Sequence, residues 1–150
     1  MSVTIKNLET AFAGESQAHV KYKYFAKLAR EQGYEEVAKH FEYTAEQEVK
    51  HAWGHLELLV GTLDVNDCLQ KAIDCETYEY TEMYPKMLEE AIAEGNEQAA
   101  KEAQDQINES VEHAEKFKKV LALAAKRFKA LQGAEKVHAS KYQQMKQEIA

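Results

Sequence analysis

Two short segments of the sequence place a histidine three residues after a glutamate. They are Glu48 with His51 and Glu135 with His138. Residues three apart lie on nearly the same face of an α-helix, so each pair would present a carboxylate beside an imidazole. Both groups bind transition metals, and imidazole suits iron, manganese or zinc. The chemistry that these segments could support is therefore metal binding.

Both pairs fall within apolar helical faces. The residues that recur at helical spacing around the first pair are Val37, Phe41, Thr44, Ala45, Ala52, Leu56 and Leu59, and around the second Leu121, Phe128, Leu131, Tyr142 and Met145. A carboxylate that points into a core costs several kcal/mol unless something compensates its charge. A bound cation would supply that compensation.

Two further segments carry glutamates on apolar faces, at Glu15 and at Glu76 with Glu79. Inward glutamates from four helices, two of them with Glu-x-x-His, form the di-metal carboxylate pattern of a four-helix bundle. One such pair alone would more often be chance in an acidic helical chain, so the joint placement favours a site. The predicted metal ligands are Glu15, Glu48, His51, Glu76, Glu79, Glu135 and His138.

Two aromatic side chains lie near Glu15 on the predicted first helix. Tyr22 is two turns away on the same face, which predicts a catalytic hydrogen bond to the site or, equally, a plain core tyrosine. His19 is one turn away, and we expect it on the surface or supporting a ligand.

Composition limits the function classes. The chain has 150 residues, six glycines and one proline, which predicts one all-helical domain over residues 1–150. A net charge of −7 argues against nucleic-acid binding. We also expect no signal peptide and no membrane span, because no apolar run is long enough. Cys68 and Cys75 are expected to be free thiols in a reducing cytoplasm.

Turn residues divide the chain. Helix 1 is predicted over about 4–32, before Gly33, and helix 2 over about 35–60. A linker follows at 61–67, with Asp67 as a plausible N-cap. Helices 3 and 4 occupy about 68–149, and Pro85 should kink or locally distort the first of them.

The last helical stretch contains a repeat. Residues 99–117 match residues 124–142 at an offset of 25, close to seven helical turns, so both copies present the same face. Ser110 stands in the first copy where Glu135 stands in the second. A turn at Gly95 would bring Ser110, Glu112 and His113 level with Glu76 and Glu79. Use of Glu135 and His138 would instead require a longer hairpin, turning near Asn108, or exchange between subunits. The second copy is favoured because only it has the glutamate.

The sequence resembles the rubrerythrin family of the ferritin-like superfamily. The segments that carry the resemblance are AFAGESQAHVKYKYFA around Glu15, TAEQEVKHA around Glu48 and His51, ETYEYTEMYP from Glu76, and AEKVHASKY around Glu135 and His138. The resemblance implies a ferritin-like antiparallel four-helix bundle with an extended or duplicated final helix. In the third motif it implies Glu76 and Glu79 as ligands, with Glu82 the nearest competitor.

The resemblance also implies a function. It implies a non-haem site of two iron ions, with manganese or zinc as substitutes, that reduces hydrogen peroxide to water in oxidative-stress defence. Typical members end in a rubredoxin domain with paired Cys-x-x-Cys motifs, which this sequence lacks. Electrons would come from an external rubredoxin-like or reductase donor. Alternatives are a ferroxidase or iron-handling protein that uses oxygen, and a helical interaction module with a decayed site.

The short linker predicts the assembly. Seven residues reach at most about 25 Å, whereas a helix of about 25 residues is roughly 37 Å long. A ferritin-like bundle needs a long crossover between helices 2 and 3. The sequence therefore predicts a homodimer in which two chains exchange halves.

Overall fold

The computed structural model describes residues 2–148, and all its regular elements are helices. The helices are α1 (Val3–Glu31), α2 (Glu35–Val60), α3 (Val65–Tyr78), α4 (Tyr84–Ala93) and α5 (Glu97–Glu148), with a π-helical segment at Glu79–Met83 between α3 and α4. The chain divides into two compact units, one up to Thr62 and one from Leu63 onward. Among the described residues, no helix has the length and apolar character needed to cross a membrane.

The first unit is a hairpin of α1 and α2. The Ser2 side chain caps α1 by accepting a hydrogen bond from the backbone of Ile5. Gly33 turns the chain with a φ of 83°, a conformation that favours glycine. The predicted bounds of α2 agree with the structure, and those of α1 agree to within one residue.

Alanines form the contact between these two helices. Ala26 and Ala29 on α1 and Ala38 on α2 make one buried cluster, and Ala45 and Ala52 continue the buried row along α2. Small side chains let two helices approach closely, but they bury little apolar area. None of the described large side chains is fully buried, and Trp53 of α2 is 61% exposed. The hairpin therefore has a thin core of its own.

The start of α3 differs from the prediction. Asp64, rather than Asp67, is the N-cap: its side chain accepts a hydrogen bond from the Asp67 backbone, and the Asp67 side chain accepts one from the Asp64 backbone. This capping box satisfies both N–H groups. The helix therefore starts at Val65, and the link between α2 and α3 is shorter than predicted.

The distortion predicted at Pro85 takes the form of the π-helical segment. Proline has no N–H to donate and its ring crowds the preceding turn. Just before it, the Tyr84 N–H donates to the Glu79 carbonyl five residues back. The Thr81 hydroxyl donates to the Thr77 carbonyl at 2.7 Å and so satisfies it. The extra residue in this turn changes the direction in which the following side chains point.

A tight turn and one long helix complete the second unit. Gly95 has a φ of 71°, and the Asn96 side chain accepts a hydrogen bond from the Ala99 backbone at the start of α5. Because α5 runs unbroken through Asn108, the expected alternative of a hairpin turn near that residue is wrong. The final helix is extended, as predicted, and every side chain from 125 to 147 is exposed.

Candidate metal centre

Three predicted ligands converge within the helical hairpin of the first unit. Glu15 of α1 and Glu48 and His51 of α2 each offer a ligand atom, and these atoms all lie within 4.8 Å of one another. Nδ1 of His51 is 3.0 Å from Oε2 of Glu48. The Glu48 side chain is 18% exposed and that of His51 is 58% exposed. Two carboxylates and an imidazole at this spacing fit a transition-metal ion such as iron.

His19 fastens α1 to α2 beside this group. Its Nδ1 lies 2.8 Å from the carbonyl oxygen of Ala45, and the histidine must be the donor because a carbonyl only accepts. Ala45 lies one turn before Glu48 on α2. The hydrogen bond therefore fixes the register of the two helices where their ligands meet, which agrees with the supporting position expected for His19.

The second unit brings together Glu76 and Glu79 with the first copy of the repeat. Nδ1 of His113 lies 3.5 Å from Oε1 of Glu76. The Ser110 hydroxyl donates to Oε2 of Glu79 at 3.0 Å, and the Cys75 thiol donates to Oε1 of the same residue at 3.6 Å. Oε2 of Glu76 is buried and has no hydrogen-bond partner. A buried carboxylate oxygen without a partner is a position that a bound cation would satisfy.

The competing residues of this unit lie elsewhere. Glu82 is exposed within the π-helical segment. Glu112 is exposed and pairs with Lys116 on its own helix. Glu76 and Glu79 are therefore less exposed than Glu82 and Glu112, the other glutamates considered as metal ligands in this unit.

Glu135 and His138 lie far along α5. Both are exposed, and His138 follows His113 by 25 residues, which corresponds to about 37 Å along a helix. Within this unit the structure does not bring them to Glu76 and Glu79; His113 lies beside Glu76 instead. The turn at Gly95 determines this register. A role for Glu135 and His138 through exchange between subunits stays a prediction.

Tyr22 belongs to an aromatic cluster. Its ring centroid lies 6.4 Å from that of Phe25 and 5.9 Å from that of Phe41. These tilted contacts are typical of aromatic packing. The proposed hydrogen bond from Tyr22 to the site stays a prediction.

Ser110 and Cys75 are the neighbours of Glu79 that were not predicted as site residues. The repeat did contain part of the signal, because it places Ser110 and His113 in register with Glu135 and His138. Cys75 precedes Glu79 by one helical turn, which sequence spacing alone could have indicated. Both cysteines are free and exposed in this structure.

Comparison with known protein families gives a match over most of the chain. The rubrerythrin family profile matches residues 6–121. The chain belongs to the rubrerythrin family. Its membership confirms the predicted resemblance and the all-α, ferritin-like fold class. The match ends before the exposed part of α5 that carries Glu135 and His138.

The chain is also similar to individual proteins of this family. The chain is 38% identical over 129 residues to nigerythrin of Nitratidesulfovibrio vulgaris, covering 76% of this chain and 63% of that protein. It is 36% identical over 136 residues to a rubrerythrin of Porphyromonas gingivalis, covering 81% and 67%. A solved structure of fully reduced, all-ferrous nigerythrin matches with a TM-score of 0.41 at 33% identity, covering 81% of this chain and 67% of that one. The chain thus spans about two thirds of the length of these relatives.

The carboxylates also affect neighbouring titratable groups. Burial and then the negative charge of Glu79 raise the pKa of the Cys75 thiol. The same two causes raise the pKa of Tyr84. Both groups therefore remain protonated to higher pH than they would in water, because burial and the nearby negative charge both disfavour their ionised forms.

We predict that Glu79 slows the alkylation of Cys75. Only the thiolate reacts with iodoacetamide, so Glu79→Gln, by removing a negative charge, should lower the pKa of Cys75 and speed its alkylation at about pH 8. Timed alkylation of metal-free protein followed by peptide mass spectrometry measures the rate. Cys68, exposed on the same helix, is the internal reference and should keep its rate. An unchanged Cys75 rate would contradict the prediction.

Proposed function

We propose that this rubrerythrin-family chain is a non-haem di-iron peroxidase that reduces hydrogen peroxide to water in oxidative-stress defence. The convergence of Glu15, Glu48 and His51 supports it most directly, because these residues supply a carboxylate-rich, mixed oxygen and nitrogen donor set within 4.8 Å. Manganese or zinc could occupy the same donors.

We assign Glu76, Glu79 and His113 to the other half of the centre. The contact between His113 and Glu76 and the unpartnered Glu76 oxygen support this choice over Glu135 and His138. With Glu15, Glu48 and His51, this gives four carboxylates and two imidazoles. Their combined charge of −4 equals in magnitude the +4 of two divalent ions.

The chemistry that a bound iron pair supplies is the two-electron reduction of hydrogen peroxide, which with two protons yields two water molecules. The residues of the chain would hold this centre: the glutamates would bind the cations and neutralise their charge, and the imidazoles of His51 and His113 would complete the ligand set. His19 maintains the register of α1 and α2 through its hydrogen bond to Ala45. We also propose that a rubredoxin-like protein or a reductase donates the electrons that reduce the iron pair.

The complete centre, in this proposal, forms in a homodimer whose chains exchange halves. The link between α2 and α3 comprises residues 61–64, which reach about 14 Å. A helix of the length of α2, 26 residues, is about 39 Å long. The link is therefore too short for a ferritin-like crossover along its own bundle. The thin alanine core of the hairpin also leaves large apolar side chains that a second chain would bury.

The experiment that tests the peroxidase function is anaerobic reduction followed by stopped-flow mixing with hydrogen peroxide or with oxygen. We expect two irons per chain and much faster oxidation by peroxide, because the two electrons of a reduced iron pair are enough to reduce hydrogen peroxide to water, whereas oxygen needs four. The metal content is measured on the same sample. Faster oxidation by oxygen would instead indicate a ferroxidase, and failure to bind metal after anaerobic reconstitution would leave only a helical scaffold.

The choice of histidine can be tested by a matched pair of variants. His113→Ala should weaken Mn²⁺ binding more than about tenfold, since it removes a ligand. His138→Ala, at the corresponding position of the second repeat, should leave binding unchanged. Calorimetric titration of metal-free protein measures both. The reverse result would transfer the ligand assignment to Glu135 and His138.

The exchanged dimer predicts a response to linker length. An insertion of about 15 Gly and Ser residues after Thr62 would be long enough to cross a bundle, so it should convert the dimer into a metal-binding monomer. Light scattering coupled to size exclusion measures the mass, and small-angle scattering the shape. The same insertion at the exposed Gly133 is the control and should leave a dimer. A wild-type compact monomer that binds two metals would contradict the exchange.

A further inference from the structure

Ser110 occupies an unusual position on α5. It is 3% exposed and is the buried polar residue identified in the part of the chain that the structure describes. Ala103 and Ala114, which are also buried, lie about two turns before it and one turn after it on the same helix. A serine hydroxyl in such surroundings needs a partner, and here that partner is Glu79.

The hydrogen bond orients Glu79. An ionised carboxylate can only accept, so the Ser110 hydroxyl donates to Oε2 at 3.0 Å. Cys75 donates to the other oxygen at 3.6 Å, a longer contact that involves sulfur. Glu79 thus has a donor on each oxygen, whereas Glu76 keeps one buried oxygen free. The two glutamates of this half-site are therefore held differently.

The internal repeat shows what Ser110 replaces. Ser110 precedes His113 by three residues, as Glu135 precedes His138 at an offset of 25. A glutamate at position 110 would complete a third Glu-x-x-His and place another carboxylate beside Glu79. Three neighbouring carboxylates would repel one another without a cation. The serine supplies a neutral donor at this position instead.

We propose that Ser110 is a positioning residue that holds Glu79 for metal binding and replaces a fifth carboxylate ligand. This inference rests on the proposed function only in that the site binds metal, and it does not require that the metal reacts with peroxide. It makes the half-site one of two carboxylates and one imidazole. The whole centre then has four carboxylates, and their charge matches that of two divalent ions. The ligand position that a glutamate at position 110 would fill is left without a protein carboxylate.

The first test removes the hydroxyl. Ser110→Ala should weaken Mn²⁺ binding about tenfold, because a charge-assisted hydrogen bond that orients a ligand is lost. Ser110→Thr keeps the hydroxyl and should restore binding. Ser140→Ala is the matched control, since Ser140 lies on the same helix and its hydroxyl donates only to the Lys136 backbone. Calorimetric titration of metal-free protein measures affinity, and circular dichroism measures folding.

The second test adds the carboxylate. Ser110→Glu should lower the melting temperature of the metal-free protein at neutral pH, because it adds a buried like charge beside Glu79. Saturating Mn²⁺ should reverse that loss, and the affinity for Mn²⁺ should rise. This readout is independent of turnover. The rise in Mn²⁺ affinity distinguishes it from a packing defect, which would lower the melting temperature without strengthening metal binding.

The outcomes separate the two proposals. Ser110→Ala with wild-type Mn²⁺ affinity would overturn the role of Ser110 even if peroxide reduction were normal. The same holds if Ser110→Thr binds as weakly as Ser110→Ala, or if Mn²⁺ fails to rescue Ser110→Glu. Normal Mn²⁺ results with no reactivity toward peroxide would overturn the peroxidase function alone. A wild-type protein that bound no Mn²⁺ would overturn both.

Discussion

The cost of placing carboxylates close together away from water is the constraint on which the structure depends. Glu48 is largely buried near Glu15, and Glu76 is largely buried one turn from Glu79. Such groups raise the energy of the fold unless donors or cations compensate them. The chain provides some donors of its own, from His51, Ser110 and Cys75. The free oxygen of Glu76 shows that this compensation is incomplete, and a cation would complete it.

Contacts between the helices, and a local distortion within one of them, determine where these carboxylates lie along the helix axes and in which direction they point. The alanine contact between α1 and α2 permits the close approach that brings Glu15 to Glu48, and the bond from His19 to Ala45 prevents the helices from sliding. In the second unit, the π-helical segment begins at Glu79 itself. An inserted residue in a helix changes the direction of all side chains that follow it. This explains why Glu79 faces Ser110 while Glu82, only three residues later, is exposed.

Much of this arrangement could be predicted from the sequence, because helical periodicity indicates which face a residue occupies. It placed Glu15, Glu48 and His51 on facing surfaces, and glycines marked the turns that the structure shows at Gly33 and Gly95. The cap of α3 could not be assigned with the same accuracy, because Asp64 and Asp67 are both good caps and here they cap each other. The exchange of halves between two chains stays a prediction, because it rests on the length of the link between α2 and α3.

Helical periodicity does not indicate at which level along their axes two helices meet. This is why the sequence favoured His138 of the final helix, whereas the structure places His113 beside Glu76. Because 25 residues are close to seven turns, His113 and His138 share a face and only the position of the turn separates them. The presence of Glu135 favoured the second copy on chemistry alone. Within the single chain, Glu135 and His138 are exposed, so water solvates their polar groups, and a role for them through exchange between subunits stays a prediction. The carboxylate of Glu76, which lies beside His113, is largely buried instead, and one of its oxygens lacks a hydrogen-bond partner. Within one chain, the burial of a carboxylate is therefore a stronger indication of a cation site than the Glu-x-x-His spacing alone.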